Sequence, residues 1–408
     1  MSQPRRPETG AREALAGDRP RLANLKGLHI GIDARYLKRR GVGISWYLHQ
    51  GIGDLLAAQA RLTLVTDDEN QRSPLQAAYP SAGIVALPGR SGFAWEQNAL
   101  RRHLAGARYD AYVAPANYGL PLRYRGATKL ILVVHDLIPL RLPHLYLLPR
   151  PLWAGKYLLS LVIAAWRADR IVAVSDATAR DVTRLLRKPA VDVVYPQVPQ
   201  PYGEPASGPA DGAGIAGAWP LGKPAGSYFV YNGGSDIRKN VPTMLRAFSQ
   251  VRDQMAEADL VILGTGYDGF TPMIRRLGIA DHVFMPGYVD EAAKVAILTG
   301  ALAVVYPSRL EGFGLPVVEA LAAGIPVVAG TGGALPEIGG DAATYVARMN
   351  TRSLADAMTM VTDANARRQA QEAGAIQLTA LRCRQEAHTL AHAIAACLAS
   401  AGSDQTVS

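Results

Sequence analysis

The sequence predicts an α/β protein built as two doubly wound, parallel-sheet domains facing across a cleft. Three observations carry this. Short apolar runs alternate with helical segments in both halves of the chain. A stretch rich in proline, glycine and alanine at 197–226, with Pro199, Pro201, Pro205, Pro209 and Pro220, separates the halves. The 408 residues are enough for two domains of ordinary size.

Taken in order, residues 1–24 are polar and arginine-rich and read as a disordered tail. The first domain, 25–196, opens with a strand at 28–32, a loop at 35–43, a helix at 44–60 and a strand at 62–66. An apolar run at 129–134 ends at His135 and Asp136. A strand at 170–174 leads to Ser175, placed to cap a helix, and 191–195 is the last strand before the linker. The second domain, 227–378, carries strands at 228–231, 260–263, 283–285, 301–306 and 326–329, with a helix at 241–251 after the first. One amphipathic helix over 379–400 closes the chain. Open parallel sheets bind ligands beyond the carboxyl ends of their strands, so a site between the domains is expected.

Composition narrows the function. An apolar fraction of 49% and a charged fraction of 19% are those of a soluble globular protein. The net charge of +9 suits an acidic partner: nucleotide phosphates, a lipid diphosphate or an anionic membrane surface. No basic-aromatic array points to nucleic acid. Cys383 and Cys397 fall on one predicted helix, roughly 21 Å apart, too far for a disulfide. Reduced thiols and no secretory signal imply the cytosol. The uncharged run at 320–336 is broken by Gly324, Pro326 and Gly330. The run at 157–166 is too short to span a bilayer and reads as a buried helix; Arg150, Lys156, Arg167 and Arg170 around it would suit a peripheral contact with the inner face of an anionic membrane.

The stretch Ser308-Arg-Leu-Glu-Gly-Phe-Gly-Leu-Pro-Val-Val-Glu319 says most about chemistry. Pro316 suits the first position of a helix, Glu319 then falls in the first turn, and Glu311 lies in the loop before it. Free amides and the positive end of the helix dipole there suit a phosphate. Two carboxylates beside them suit the hydroxyls of two sugar rings, which together describe a nucleotide-sugar. An acidic helix start that merely favours its own dipole is the plain alternative. A second loop, Tyr231-Asn-Gly-Gly-Ser-Asp-Ile-Arg-Lys-Asn240, follows a strand and precedes a helix. Gly233 and Gly234 allow a tight turn or close approach to a ligand. Arg238 and Lys239 add fixed cations that would stabilise a departing nucleoside diphosphate; a solvated basic turn is the alternative.

These residues resemble the signature of the family-4 retaining glycosyltransferases of GT-B fold, with Arg238-Lys239-Asn240 and the Glu-x7-Glu pair Glu311 and Glu319. In the first half, Gly31-Ile-Asp-Ala-Arg35 with Gly41-Val-Gly-Ile-Ser-Trp-Tyr47, Val134-His-Asp-Leu-Ile-Pro139 and Ala168-Asp-Arg-Ile-Val-Ala-Val-Ser175 are similar to the family's glycine loop, histidine motif and strand before the linker. The match runs over 28–195 and 228–345. It implies that Glu319 binds the ribose and that Glu311 contacts the donor sugar. Arg238 and Lys239 would hold the diphosphate, and Gly41 and Gly43 would approach the phosphates and acceptor. His135 would touch the transferred sugar, and Phe313, Gly314 and Leu315 would give backbone contacts. The linker would be a hinge, with the last helix crossing back to the first domain. Asn232 and Ile237 depart from the family pattern, and Lys38, Arg39 and Arg40 make the first loop unusually basic.

Gly264-Thr-Gly-Tyr-Asp-Gly269 imitates a dinucleotide fingerprint but lies inside the second domain and reads as a turn before a helix opened by Pro272. There is no Asp-x-Asp in the sequence, so no essential metal and no cofactor are expected, with Arg238, Lys239 and the helix start supplying the charge. The expected activity is transfer of a hexose, mannose favoured, from a GDP- or UDP-sugar to a polysaccharide or polyprenyl-diphosphate-linked acceptor. A non-enzymatic nucleotide-sugar-binding partner and a nucleotide-sugar epimerase of similar fold are the alternatives.

Overall fold

A computed structural model of the chain describes residues 23–38, 43–89, 92–198 and 225–403. Residues 1–22 of the expected tail, Gly41 with Arg39 and Arg40, and positions 199–224 of the expected linker lie outside these. Thirteen strands among the described residues form two sheets. The first holds β1 (His29–Asp33), β2 (Arg61–Thr66), β3 (Gly83–Ala86), β4 (Ala111–Ala114), β5 (Lys129–Val134), β6 (Arg170–Ala173) and β7 (Val191–Val193), in the order β3-β2-β1-β4-β5-β6-β7. The second holds β8 (Tyr228–Asn232), β9 (Asp259–Leu263), β10 (Val283–Gly287), β11 (Ala303–Tyr306), β12 (Val327–Ala329) and β13 (Ala343–Tyr345), in the order β10-β9-β8-β11-β12-β13. Every strand pair is parallel.

Parallel strands covered on both faces need continuous apolar sequence, which explains why Leu130–Val134 and Leu260–Leu263 are buried without alternation. The helices that cover them include α1 (Gly43–Ala57), α2 (Pro151–Arg167), α3 (Asp176–Leu186), α4 (Val241–Arg252), α5 (Glu291–Thr299), α6 (Leu315–Ala322), α7 (Leu335–Gly339), α8 (Ala364–Ala387) and α9 (Leu390–Ser403). Each sheet reverses its strand order once, between β1 and β4 and between β8 and β11. The loops leaving those four strands therefore flank the crevice where doubly wound folds bind ligands. They begin at Ala34, Pro115, Gly233 and Pro307, and two of them carry the basic turn and the Glu311 segment.

Three expectations need correction. The single closing helix over 379–400 is two helices. His388 adopts an extended backbone, and Thr389 starts a new helix by pairing its hydroxyl with His392 Nδ1 at 2.8 Å. Cys383 and Cys397 consequently sit on different helices. The second of them, α9, does return to the first domain: Leu390 packs at Gly51 of α1, and Gln385 at the end of α8 donates to the Pro196 carbonyl at 2.5 Å. The segment 157–166 is not a buried helix either. It lies in α2, which buries Tyr157, Leu161 and Ala164 but exposes Leu159, Val162 and Trp166.

Candidate active site

Gly314 has φ of +112°, a conformation that glycine alone adopts readily, and it launches α6. The helix consequently begins at Leu315, with Pro316 second rather than first. Glu319 is the fifth helical residue, one position deeper than expected, and is buried. Leu315 leads the helix towards the first domain, where a Cβ built on Gly43 would lie 3.6 Å from Leu315 Cδ1. The starts of α1 and α6 thus come together. At α6 the Val317 and Val318 amides already bond to the Gly314 carbonyl and Pro316 has no N–H, so the amides left without an intrahelical acceptor are those leading into the helix, up to Leu315.

The basic turn closes onto the same place. Asp236 caps a short 3-10 turn at Ile237–Lys239, accepting from the Arg238 amide at 3.1 Å. Asn240 then takes a left-handed conformation with φ of 59°, and α4 starts at Val241. Lys239 is only 8% exposed, which does not fit the alternative of a solvated basic turn. Its ammonium lies 2.8 Å from Glu311 Oε1, 4.8 Å above the centre of the Tyr306 ring, and donates to the Tyr306 hydroxyl. Arg238 reaches Glu311 Oε2 at 3.5 Å and Asp236 at 3.1 Å. Its Nε is buried and has no hydrogen-bond partner among the described residues. The Ser308 hydroxyl donates to Glu311 at 2.5 Å. Burial alone would raise the Glu311 carboxyl, but Lys239 and Arg238 outweigh it and hold the group below the ordinary carboxylate range.

Glu319 has its own supports, which sequence reasoning missed. Asn232 at the end of β8 donates to Oε2 at 2.7 Å, and Lys294 of α5 lies 2.9 Å from Oε1. Burial still pushes the Glu319 carboxyl up, against the pull of Lys294. The departure noted at Asn232 thus has a structural role. Lys294 gave no signal, because a lone lysine on a short helix reads as a solvated charge.

His135 follows β5 in the first domain. Its Nε2 lies 2.7 Å from the Pro115 carbonyl and its amide donates to Asn117 at 2.8 Å, which ties it to the loop after β4. Desolvation lowers its pKa to about 4, so the ring is neutral at physiological pH; an Nε2–H donating to Pro115 leaves Nδ1 as an acceptor. Asp136 accepts from the Ile138 amide at 3.1 Å and caps the next turn.

The domains meet around Gly312. A Cβ there would stand 1.9 Å from the His135 carbonyl, so only glycine permits this approach. Ser175, which caps α3 as expected, donates from its hydroxyl to the Gly312 carbonyl at 2.6 Å. Phe313 packs edge-on against Tyr195 at 5.5 Å, so its side chain serves the domain contact. Glu337 of α7 accepts from the Asp176 and Ala177 amides at 2.7 and 2.8 Å and from the Tyr195 hydroxyl at 2.5 Å. It is a second residue missed from sequence. Across the same cleft Tyr146 donates to Asp236.

The structure therefore brings Arg238, Lys239, Glu311 and Glu319 to one end of the second sheet. Gly233 and Gly234 lie in the same turn, Gly234 with φ of +76°. His135 and Gly43 come from the opposite lobe. Gly41 lies outside the described residues. The dinucleotide look-alike is a turn whose Tyr267 folds back onto the Leu263 carbonyl at 3.0 Å.

Comparison with known proteins agrees with this arrangement. The family description "Glycosyl transferases group 1" matches residues 221–377, and "Glycosyltransferase Family 4" matches residues 34–199. The O-antigen chain mannosyltransferase B of Escherichia coli is 28% identical over 180 residues, 43% of this chain and 46% of that protein. The MMP alpha-(1->4)-mannosyltransferase of Mycolicibacterium hassiacum is 33% identical over 124 residues, 30% of each chain. The chain thus spans less than half the length of the curated relatives it matches. In structure, the sucrose-phosphate synthase of Thermosynechococcus elongatus superposes with a TM-score of 0.71 at 18% identity, over 93% of this chain and 99% of that one, which shows the fold. With two GT-B lobes, the two family descriptions covering most of the sequence and the Glu311–Glu319 pair in the cleft, the chain belongs to the family-4 glycosyltransferases.

Proposed function

We propose that the protein transfers a hexose, mannose in preference, from a nucleotide-sugar to a polysaccharide or polyprenyl-diphosphate-linked oligosaccharide, with retention of the anomeric configuration and without an essential metal. The observation that carries this is the convergence of Arg238 and Lys239 on Glu311, in the loop that enters α6, at the crevice where both sheets reverse. Two mannosyltransferases among the relatives support mannose.

In this reading the amides at the start of α6 and the cations of Arg238 and Lys239 hold the diphosphate. Charge grows on that diphosphate as the bond from the sugar C1 to its oxygen breaks, and preorganised donors there lower the barrier. Glu311 faces the sugar and Glu319 the ribose. His135, neutral and acceptor-capable at Nδ1, orients the sugar rather than removing a proton. The acceptor hydroxyl forms the new bond to C1 on the face the diphosphate leaves, and its proton passes to the departing phosphate oxygen. No side chain is then required as nucleophile, which distinguishes this from a two-carboxylate glycosidase.

The test is a panel of GDP- and UDP-sugars scored by thermal stabilisation and by turnover with chelator present. GDP-mannose turnover giving an α product supports the reading. Donor binding without turnover on any glycan or lipid-linked acceptor would favour a non-enzymatic partner, and an inverted anomer would reject retention.

A further inference from the structure

Helix α2 is apolar on the side that faces water. It buries Ala154, Tyr157, Leu161, Ile163, Ala164 and Ala165, and of these Tyr157, Leu161, Ala164 and Ala165 share a core with Leu132 and Tyr112 of the first sheet. Its outer side carries Leu152, Leu159, Val162 and Trp166, which are 86, 52, 57 and 63% exposed. Spacings of seven, three and four residues put these on one stripe. Leu148, just before the helix, extends it. A surface helix that packs on one side is normally polar on the other, and a contiguous exposed apolar patch marks a partner.

Charge identifies the partner. Between residues 137 and 168 there is no aspartate or glutamate. Arg150 and Lys156 are exposed beside the stripe, and the Arg167 guanidinium lies 5.5 Å from the centre of the Trp166 ring. Apolar side chains flanked by cations with a tryptophan among them suit the boundary between acyl chains and anionic headgroups. With 17 residues the helix is about 26 Å long and has one side in the protein core, so it lies along a bilayer and does not cross it. Among the described residues no helix is long and apolar enough to cross. A second copy on the same stripe would set Arg150 and Lys156 against themselves with no acidic residue in the segment to offset them.

We infer that the outer face of α2 docks on an anionic bilayer, with Leu148, Leu152, Leu159, Val162 and Trp166 inserted and Arg150 and Lys156 at the headgroups; Arg167 is tied to the Tyr124 carbonyl. The segment before the helix connects this face to the cleft. Tyr146 touches Asp236 of the basic turn, and Leu148 begins the stripe two residues later. A lipid-linked acceptor would thus meet the cleft without leaving the membrane. That consequence rests on the proposed glycosyl transfer; the docking itself does not.

Flotation of the full chain with liposomes tests it. Liposomes holding about 30% phosphatidylglycerol should carry the protein, and pure phosphatidylcholine liposomes should carry at least about tenfold less. The exposed pair Leu159→Glu and Trp166→Glu should reduce binding to anionic liposomes by about tenfold or more, while melting temperature and stabilisation by nucleotide stay at wild-type values. Equal binding of both proteins to anionic liposomes would overturn the assignment. So would no binding by the wild type, or a wild-type dimer in light scattering that the same pair of substitutions dissolves. Because nucleotide binding is read separately, failure of the docking and failure of the donor-site reading are distinguishable.

Discussion

Lys239 and Glu311 form a buried ion pair of 2.8 Å inside the cleft, with Arg238 on the other oxygen of the same carboxylate. Removing one member of such a pair strands the other, so function and stability are coupled at this position. Lys239→Ala should lower turnover by about two to three orders of magnitude, the range seen when a preorganised charge-stabilising donor is lost. It should also lower stability by about 3 kcal/mol, and a second change, Glu311→Gln, should restore much of that without restoring activity. Steady-state kinetics and chemical denaturation check both; wild-type turnover in Lys239→Ala would remove the residue from the mechanism.

Glu319 is held by Lys294 at 2.9 Å and Asn232 at 2.7 Å. Without Lys294, burial would favour the protonated carboxyl further. Lys294→Met should therefore weaken nucleoside diphosphate binding by about tenfold and make it improve with rising pH, with Lys294→Arg largely restoring it. Calorimetric titration across pH measures this, and an unchanged affinity with a flat pH profile would show that Glu319 needs no such support.

His135 has its pKa lowered to about 4 by desolvation. An unfolded histidine titrates near 6.5. The stability linked to this group is complete above that value, and is lost as pH falls from it towards about 4, because the unfolded chain takes up the proton first. A His135→Asn variant should lose that part of the pH dependence. An NMR titration of the ring should show a midpoint well below 5; a midpoint at 6.5 would contradict the neutral orienting role.

Glu337 joins the two lobes through the start of α3 and Tyr195. Glu337→Ala leaves two amides at a helix start without their acceptor, at a cost of about 1–2 kcal/mol for the closed arrangement. Small-angle scattering should report a larger radius of gyration, and donor KM should rise before kcat falls. Identical scattering curves would mean that other contacts, such as Ser175 with Gly312, suffice.

Much of this was readable in advance because it is local. The basic turn and the Glu311 segment each follow a strand and precede a helix, so their place at a sheet's carboxyl edge follows from periodicity alone. Strands β3, β4 and β13 escaped because each opens on glycine or alanine and none carries the run of large apolar residues that marks β5 or β9. The depth of Lys239 could not be foreseen, since burial of a cation depends on a carboxylate 72 positions away. Lys294 and Glu337 were missed for the same reason: their partners come from other elements or the other lobe. The break at His388 was hidden by the helical character of both flanks.

The return of α9 to the first lobe bears on how the chain is assembled during translation. Leu390 and Ile394 belong to the same apolar cluster as Leu48 and Ile52 of α1. A nascent chain that has emerged only as far as the linker therefore presents an unfinished core, which is completed once the final helix has left the ribosome. Stopping synthesis before Leu390 should yield a first lobe that engages chaperones, even though its whole sheet is already present.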